Sequence, residues 1–286
     1  MPLFERKGKP AIHYHLDDFT DPWKNAPYLI LQHGFARNAN FFYSWVPYLS
    51  RFYKVVRTDL RGLGKSGRDF DMQKDIGLPA FIDDMNGLID HLGAQSVHYC
   101  GESMGGILGM VLAATQPKRV RTLTLVSSPV NLNETTKTTY ALGHNSEAEA
   151  QKSMGMKAWV AATNRTTRFP ANADPKLLEW YEEEFAKNNP DVQAAMSRAL
   201  HASSALPYLS KIEAPVLGLY PSAGPITSDE QMQMLKQHIR KLQVIRVPST
   251  FHKIQLMFPR TCATHLLQWR GHRPRAGSRR SATDAA

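Results

Sequence analysis

Short apolar runs of strand length recur along the chain, separated by stretches whose apolar residues repeat at helical spacing. Ala11 to Leu16, Tyr28 to Gln32, Lys54 to Thr58, Val97 to Cys100, Leu123 to Val126, Val216 to Tyr220 and Val244 to Val247 read as strands. Leu78 to Leu92 and Ile107 to Ala114 read as helices between them. Alternation of this kind predicts an α/β fold, in which a mostly parallel sheet carries helices on both faces.

The pattern changes between Pro129 and about Lys211, where Glu147 to Thr163, Pro175 to Lys187 and Asp191 to His201 read as helices with no buried strand among them. This stretch is predicted to be a helical insertion. Trp159, Trp180 and Tyr181 could line a pocket, although aromatics at helical spacing more often form an element's own core. Arg37, Arg165 and Arg168 could pair with a substrate carboxylate, solvation at the surface being the ordinary fate of an arginine.

Candidate chemistry gathers where the strands end. Gly101-Glu102-Ser103-Met104-Gly105 joins an apolar strand directly to a helix. In a G-x-S-x-G turn the serine is held in a strained conformation, and flanking glycines let strand and helix approach closely enough to hold it. An oxyanion forming beside Ser103 would meet the Met104 N–H at a helix N-terminus. Upstream, the Tyr28 to Gln32 strand ends in His33-Gly34-Phe35, a loop suited to backbone approach to a ligand, with the Phe35 N–H as second donor. His33 itself is expected to fill space. Serine needs a base near neutral pH. Of eleven histidines, His252 is preferred because it lies in the loop after the last strand.

Together these residues resemble the α/β-hydrolase family over approximately residues 10 to 269. The features that carry the resemblance are His33-Gly34, the run Asp59-Leu60-Arg61-Gly62-Leu63-Gly64-Lys65-Ser66, the turn at Ser103, and His252. It implies a mostly parallel eight-stranded sheet in a single domain over residues 1–269, with a helical cap inserted at about 130–211. The nearest types are small esterases, enol-lactone hydrolases and carbon–carbon bond hydrolases. Ser103 and His252 would be the catalytic pair, Phe35 and Met104 the backbone oxyanion donors, and a small-molecule ester, lactone or related carbonyl compound the substrate.

One departure stands out. The family usually carries an aspartate after the seventh strand, whereas this chain reads Pro221-Ser222-Ala223-Gly224-Pro225-Ile226, with Gly224 in the acid's place. A glycine can neither orient the histidine nor stabilise an imidazolium. Asp229 and Glu230 follow, but Thr227-x-x-Glu230 fits a capping box, which makes them helix-start residues first. After the sixth strand no carboxylate occurs until Glu134. Glu102 adjoins the nucleophile and is expected to point away across the turn. The triad acid is therefore unassigned, with Asp229 and Glu134 as weak candidates, and a catalytically quiet ligand-binding protein of the same fold stays open.

Composition narrows the remaining classes. A chain of 286 residues, 42% hydrophobic and 21% charged, can bury the core of one α/β domain. The formal charge of +10 raises a nucleic-acid reading, but the segment 270–286 alone carries five arginines against one acid and is turn-rich. A disordered basic tail is expected there, with no nucleic-acid partner. No signal-peptide core and no apolar run of about 18 residues occurs, so no membrane partner and a cytoplasmic location are expected. Cys100 and Cys262 are expected to be reduced core residues without metal-ligand spacing, and neither cofactor nor metal is expected.

Overall fold

The computed structural model describes residues 2–224 and 226–269. Eight strands form one sheet: β1 (Leu3–Phe4), β2 (Ile12–Asp17), β3 (Tyr28–Gln32), β4 (Lys54–Thr58), β5 (Val97–Glu102), β6 (Val120–Val126), β7 (Val216–Pro221) and β8 (Leu242–Val247), in spatial order β1-β2-β4-β3-β5-β6-β7-β8. The first two strands are antiparallel to their neighbours, and every other pairing is parallel. The helices are α1 (Val46–Leu49), α2 (Leu78–His91), α3 (Met104–Thr115), α4 (Glu134–Ala141), α5 (Glu147–Met154), α6 (Met156–Thr163), α7 (Pro175–Ala186), α8 (Pro190–His201), α9 (Asp229–His238), α10 (Ile254–Met257) and α11 (Pro259–Gln268).

Strand periodicity sorts the core into two layers. Ile30, Val56 and Tyr99 pack on one face with Met85 and Leu88 of α2 and Ile107 and Met110 of α3. Leu29, Leu31, Val55 and Cys100 pack on the other with Phe42, Trp45, Cys262 and Leu266. Because successive side chains of a strand point to opposite faces, a central parallel strand must be apolar on both, which is why these strands read as continuous runs. The predicted strands are all present. The short N-terminal β1 and the 3-10 turn Ala39–Trp45 have no periodic signal and were not expected.

Four differences from the expected elements have local causes. The single helix expected from Glu147 to Thr163 is broken at Gly155, which sits at φ 78° between α5 and α6. A π-helical turn, Asn164–Arg168, then extends α6. The insertion leaves and rejoins the sheet through a bridge between Asn131 and Ser204. The expected capping box at Thr227 is not formed: Ser228 is the N-cap of α9, and its side chain makes no capping hydrogen bond. Both cysteines are free and buried. The tail expected at 270–286 lies outside the described residues, among which no helix is long and apolar enough to cross a membrane.

Candidate active site

Ser103 stands between β5 and α3 with φ 54° and ψ −120°, a conformation that costs a non-glycine residue on the order of 1–3 kcal/mol and persists only where the surroundings enforce it. Here they do. A Cβ on Gly101 would lie 2.2 Å from the Gly105 carbonyl oxygen, and one on Gly105 would lie 2.6 Å from the carbonyl oxygens of Gln32 and His33. The pattern of glycines therefore follows from backbone contact, and it leaves the serine as the partly exposed tip of a rigid turn.

His252, 5% exposed, follows β8 and brings its Nε2 to 3.1 Å from Ser103 Oγ. The N–H groups of Phe35 and Met104, the expected oxyanion donors, form no hydrogen bond among the described residues. Both belong to segments fixed from beneath. His33 is fully buried and accepts the Leu60 N–H at Nε2, 3.1 Å, so its Nδ1–H donates to the Gly34 carbonyl at 2.7 Å. The space-filling role expected for His33 is thus a hydrogen-bonded brace between two loops.

Glu102 corrects the sequence reading. Its carboxylate does not point away from the site: Oε2 accepts the Gly34 N–H at 3.0 Å, Oε1 accepts from Lys253 Nζ at 2.5 Å, and Oε1 lies 3.5 Å from His252 Nε2. Arg37 Nη1 stands 3.8 Å from Oε2. Burial raises the carboxyl's pKa, but the Lys253, Arg37 and His252 charges outweigh it and hold the group at about 2. Glu102 and Lys253 flank the two expected catalytic residues on opposite sides of the chain, so their ion pair ties the serine turn to the histidine loop. The signal that could have exposed them is an acid abutting the serine and a base abutting the histidine. The side-chain direction that joins them is not written in the sequence.

Among the described residues no acid reaches the other side of the ring, and His252 Nδ1 is buried without a hydrogen-bond partner. Gly224 lies after β7 at φ 152°. Asp229 is exposed in the first turn of α9, and Glu134 is exposed and paired with Lys137 at the start of α4. Neither weak candidate is brought to the histidine. Burial, followed by the Lys253 charge, holds the His252 imidazole well below its ordinary pKa despite Glu102, so the ring is neutral near neutral pH.

The helical insertion closes on this edge of the sheet. The His252 N–H donates to the Thr167 carbonyl at 3.0 Å and the Lys253 N–H to the Arg168 carbonyl at 3.2 Å. Arg37 donates to Tyr181 Oη through Nε and Nη2 at 3.0 and 2.6 Å and to the Phe35 carbonyl at 2.7 Å. Of the three arginines singled out in the sequence, only Arg165 is at the surface. Arg37 and Arg168 are 3% and 2% exposed, against the expectation of solvation. Trp159 and Tyr181 are fully buried in the insertion's core, and Trp180 is half-buried beside Phe41 and Tyr43.

A protein-family model for the alpha/beta hydrolase fold matches residues 27–259. Among curated proteins, a 3-oxoadipate enol-lactonase of Acinetobacter baylyi is 26% identical over 242 residues, covering 84% of this chain and 87% of its own. A strigolactone esterase of Arabidopsis thaliana is 25% identical over 219 residues, 74% of this chain and 79% of its own. Among solved structures, the enol-lactonase of Burkholderia xenovorans superposes with a TM-score of 0.80 at 22% identity, covering 93% of this chain and 98% of that one.

Proposed function

The chain belongs to the α/β hydrolase fold family, and from that premise we propose that it is a serine hydrolase of a small ester, lactone or related carbonyl compound. The observation that carries this reading is the 3.1 Å approach of His252 Nε2 to the hydroxyl of a serine held at φ 54°. Ser103 Oγ attacks the carbonyl carbon while His252 Nε2 takes its proton. The oxyanion is held by the Phe35 and Met104 N–H groups, with the α3 N-terminus adding its positive end. The tetrahedral adduct collapses, the imidazolium returns the proton to the leaving oxygen, and water then cleaves the acyl-enzyme by the same route. The insertion acts as a cap that excludes water and selects the substrate. The enol-lactonase and esterase relatives support this class of substrate. Carbon–carbon bond cleavage would use the same pair.

In place of an acid at Nδ1, Glu102 faces Nε2, the atom that becomes charged. When His252 takes the serine proton, the carboxylate 3.5 Å away offsets part of the new charge, and the Glu102–Lys253 pair fixes the loop. What it does not supply is the tautomer: a partner at Nδ1 holds the proton there and leaves Nε2 free, and losing that function costs about 10⁴-fold in serine proteases. The same observation favours a second reading, in which Nε2–H donates to Glu102, the serine stays inactive and the protein only binds its ligand. Reaction with a serine-directed fluorophosphonate, alongside turnover of short aryl esters and lactones, separates the two. Stoichiometric labelling at Ser103 with measurable turnover supports the hydrolase, and absence of both supports the binder.

A further inference from the structure

Arg168 is buried in the insertion without a counter-ion among the described residues. It is 2% exposed, and its guanidinium lies over Tyr140, Trp159 and Phe185 at 4.9, 5.2 and 5.9 Å from the ring centroids. Among the described residues its guanidinium makes one hydrogen bond, from Nη1 to Thr163 Oγ1, its Nε is buried and unpartnered, and no carboxylate lies within ion-pair distance. Aromatic faces attract a cation but accept no strong hydrogen bond, so the buried Nε has lost its water without replacement. The insertion's buried carboxylates are engaged elsewhere, Glu147 with His201 and Gln151, Glu184 with Lys187 and Asn38. The other two buried cations at the site differ. Lys253 and Arg37 share Glu102, and Arg37 also has Tyr181 and the Phe35 carbonyl.

Arg168 ends the π-helical turn whose carbonyls, those of Thr167 and Arg168, are bonded to the backbone of His252 and Lys253. The cation is thereby carried on the segment that seals against the catalytic loop, and it acts electrostatically on both His252 and Lys253. Among the described residues three buried basic side chains, Arg37, Arg168 and Lys253, stand at the site against the one carboxylate of Glu102, burial and the Arg37 charge pulling the Lys253 ammonium well below its ordinary pKa. We propose that Arg168 is the anchor of an anion subsite, and that the preferred substrate is an ester or lactone bearing a carboxylate remote from the scissile carbonyl. The planar guanidinium offers such a carboxylate paired N–H donors, and the aromatic rings around it exclude water from the pair. This rests on the hydrolase reading above and names the substrate class for the same site.

The test compares the mono-4-nitrophenyl ester of glutaric acid with 4-nitrophenyl valerate, which have equal chain length and differ in a terminal carboxylate against a methyl. The parent should favour the anionic ester in kcat/KM by at least about tenfold. Arg168→Met, close in volume, should abolish that preference through KM, bringing the ratio of the two kcat/KM values to about one, and Arg168→Lys should keep an intermediate preference. Equal rates on both esters in the parent, or an equal fall on both in Arg168→Met, would overturn the proposal. Should neither ester turn over, the hydrolase reading fails first and the subsite is read by binding. Isothermal titration with glutarate should then show saturable binding to the parent that Arg168→Met loses, and no binding, or binding indifferent to the substitution, sinks the anion subsite. Thermal melting adds an independent check. A residue kept for a ligand should not lower Tm when replaced by methionine, whereas a fall of more than about 5 °C would mark Arg168 as a structural residue.

Discussion

Two turns stand at the carboxyl edge of the same sheet, one after β5 and one after β7, and they have met opposite fates. The Ser103 turn is closed on every side: added Cβ atoms at Gly101 and Gly105 would meet backbone at 2.2 and 2.6 Å. At Gly224 an added Cβ would meet, among the described residues beyond its chain neighbours, the Thr250 carbonyl at 3.2 Å and Pro221 Cγ at 3.9 Å. The turn that would aim the proposed nucleophile has no room for a side chain at Gly101 or Gly105, while the loop where the resemblance expects an acid carries Gly224 instead, and the histidine's Nδ1 has no partner among the described residues. Ser103 is held by steric exclusion that a single substitution would break, whereas the orientation of His252 has passed to contacts made elsewhere, by Glu102, Lys253 and the insertion.

The largest effect is expected at the serine. Ser103→Ala should lower ester turnover by at least about 10⁴-fold, as loss of a nucleophile does in other serine enzymes, and should abolish fluorophosphonate labelling. Tm should stay within about 2 °C of the parent, because alanine carries the same Cβ at the same strained φ. Activity within a few-fold of the parent would remove the nucleophile from the proposed mechanism.

Glu102→Gln comes next. The amide keeps an oxygen for the Gly34 N–H but leaves the Lys253 ammonium buried and unpaired. Breaking a buried pair on one side costs about 3–5 kcal/mol, which at roughly 2–4 °C per kcal/mol should lower Tm by about 10 °C. Turnover should fall at least about tenfold as the two loops loosen. Adding Lys253→Met should restore most of the stability and little of the activity. Equal losses in the single and double variants would show that the pair does not couple the loops. The pH dependence of the loss has a definite sign. Glu102 is held at about 2 in the fold against an ordinary 4.5, so its stabilisation is complete above about pH 4.5 and disappears as pH falls toward 2. Glu102→Gln should flatten denaturation curves across that window.

The histidine gives a kinetic counterpart. Only neutral His252 can take the serine proton, and its pKa lies well below 6.5. The acid limb of kcat/KM should therefore fall below pH 6.5, with activity kept as pH drops through that value. A midpoint at or above 6.5 would place the ring in a wetter or more anionic setting than the structure gives it. For stability the sign is that of a buried neutral base, greatest above pH 6.5 and declining as pH falls below it, because the unfolded chain takes up the proton first.

Much of this arrangement was legible in the chain. Strand and helix runs, the Ser103 turn, the position of His252 and the loss at Gly224 are local signals, each fixed by neighbours within about ten residues. Glu102, Lys253, Arg37 and Arg168 were not legible as a group, since their pairing depends on loops separated by up to 151 positions in sequence. Composition pointed the wrong way for the arginines. A lone arginine belongs at the surface on general grounds, and only tertiary closure of the insertion shows that two of the three are inside.

Restoring the acid should have a modest effect. Gly224→Asp places a carboxylate where the family carries one, yet at φ 152° an L-residue is strained, and its Cβ would crowd the Thr250 carbonyl at 3.2 Å. The loop must shift before the side chain can reach Nδ1. A gain of no more than about tenfold in kcat is expected, with a lower Tm from the strain. A gain approaching the roughly 10⁴-fold attributed to a triad acid would show that the loop is already poised to receive it, and that the absence of the acid is the only defect of the site.

The smallest effect is expected at the two weak candidates for the acid, Asp229 after β7 and Glu134 after β6. Asp229 sits in the exposed first turn of α9, where its charge favours the helix N-terminus by a few tenths of a kcal/mol. Glu134 does the same for α4 and pairs at the surface with Lys137, an interaction worth little in water. Neither makes a hydrogen bond or ion pair with His252. Asp229→Asn and Glu134→Gln should therefore keep kcat/KM within about twofold of the parent and leave the acid limb unmoved. The contrast with Glu102→Gln, which also exchanges a carboxylate for an amide, gives these two variants their force. If burial beside the catalytic ring decides what a carboxylate does, one of the three substitutions disables the enzyme and two leave it unchanged. A collapse of kcat in either surface variant would mean that a displaced acid swings to Nδ1 during turnover, and the division between the rigid serine turn and the vacated Gly224 loop would have to be redrawn around it.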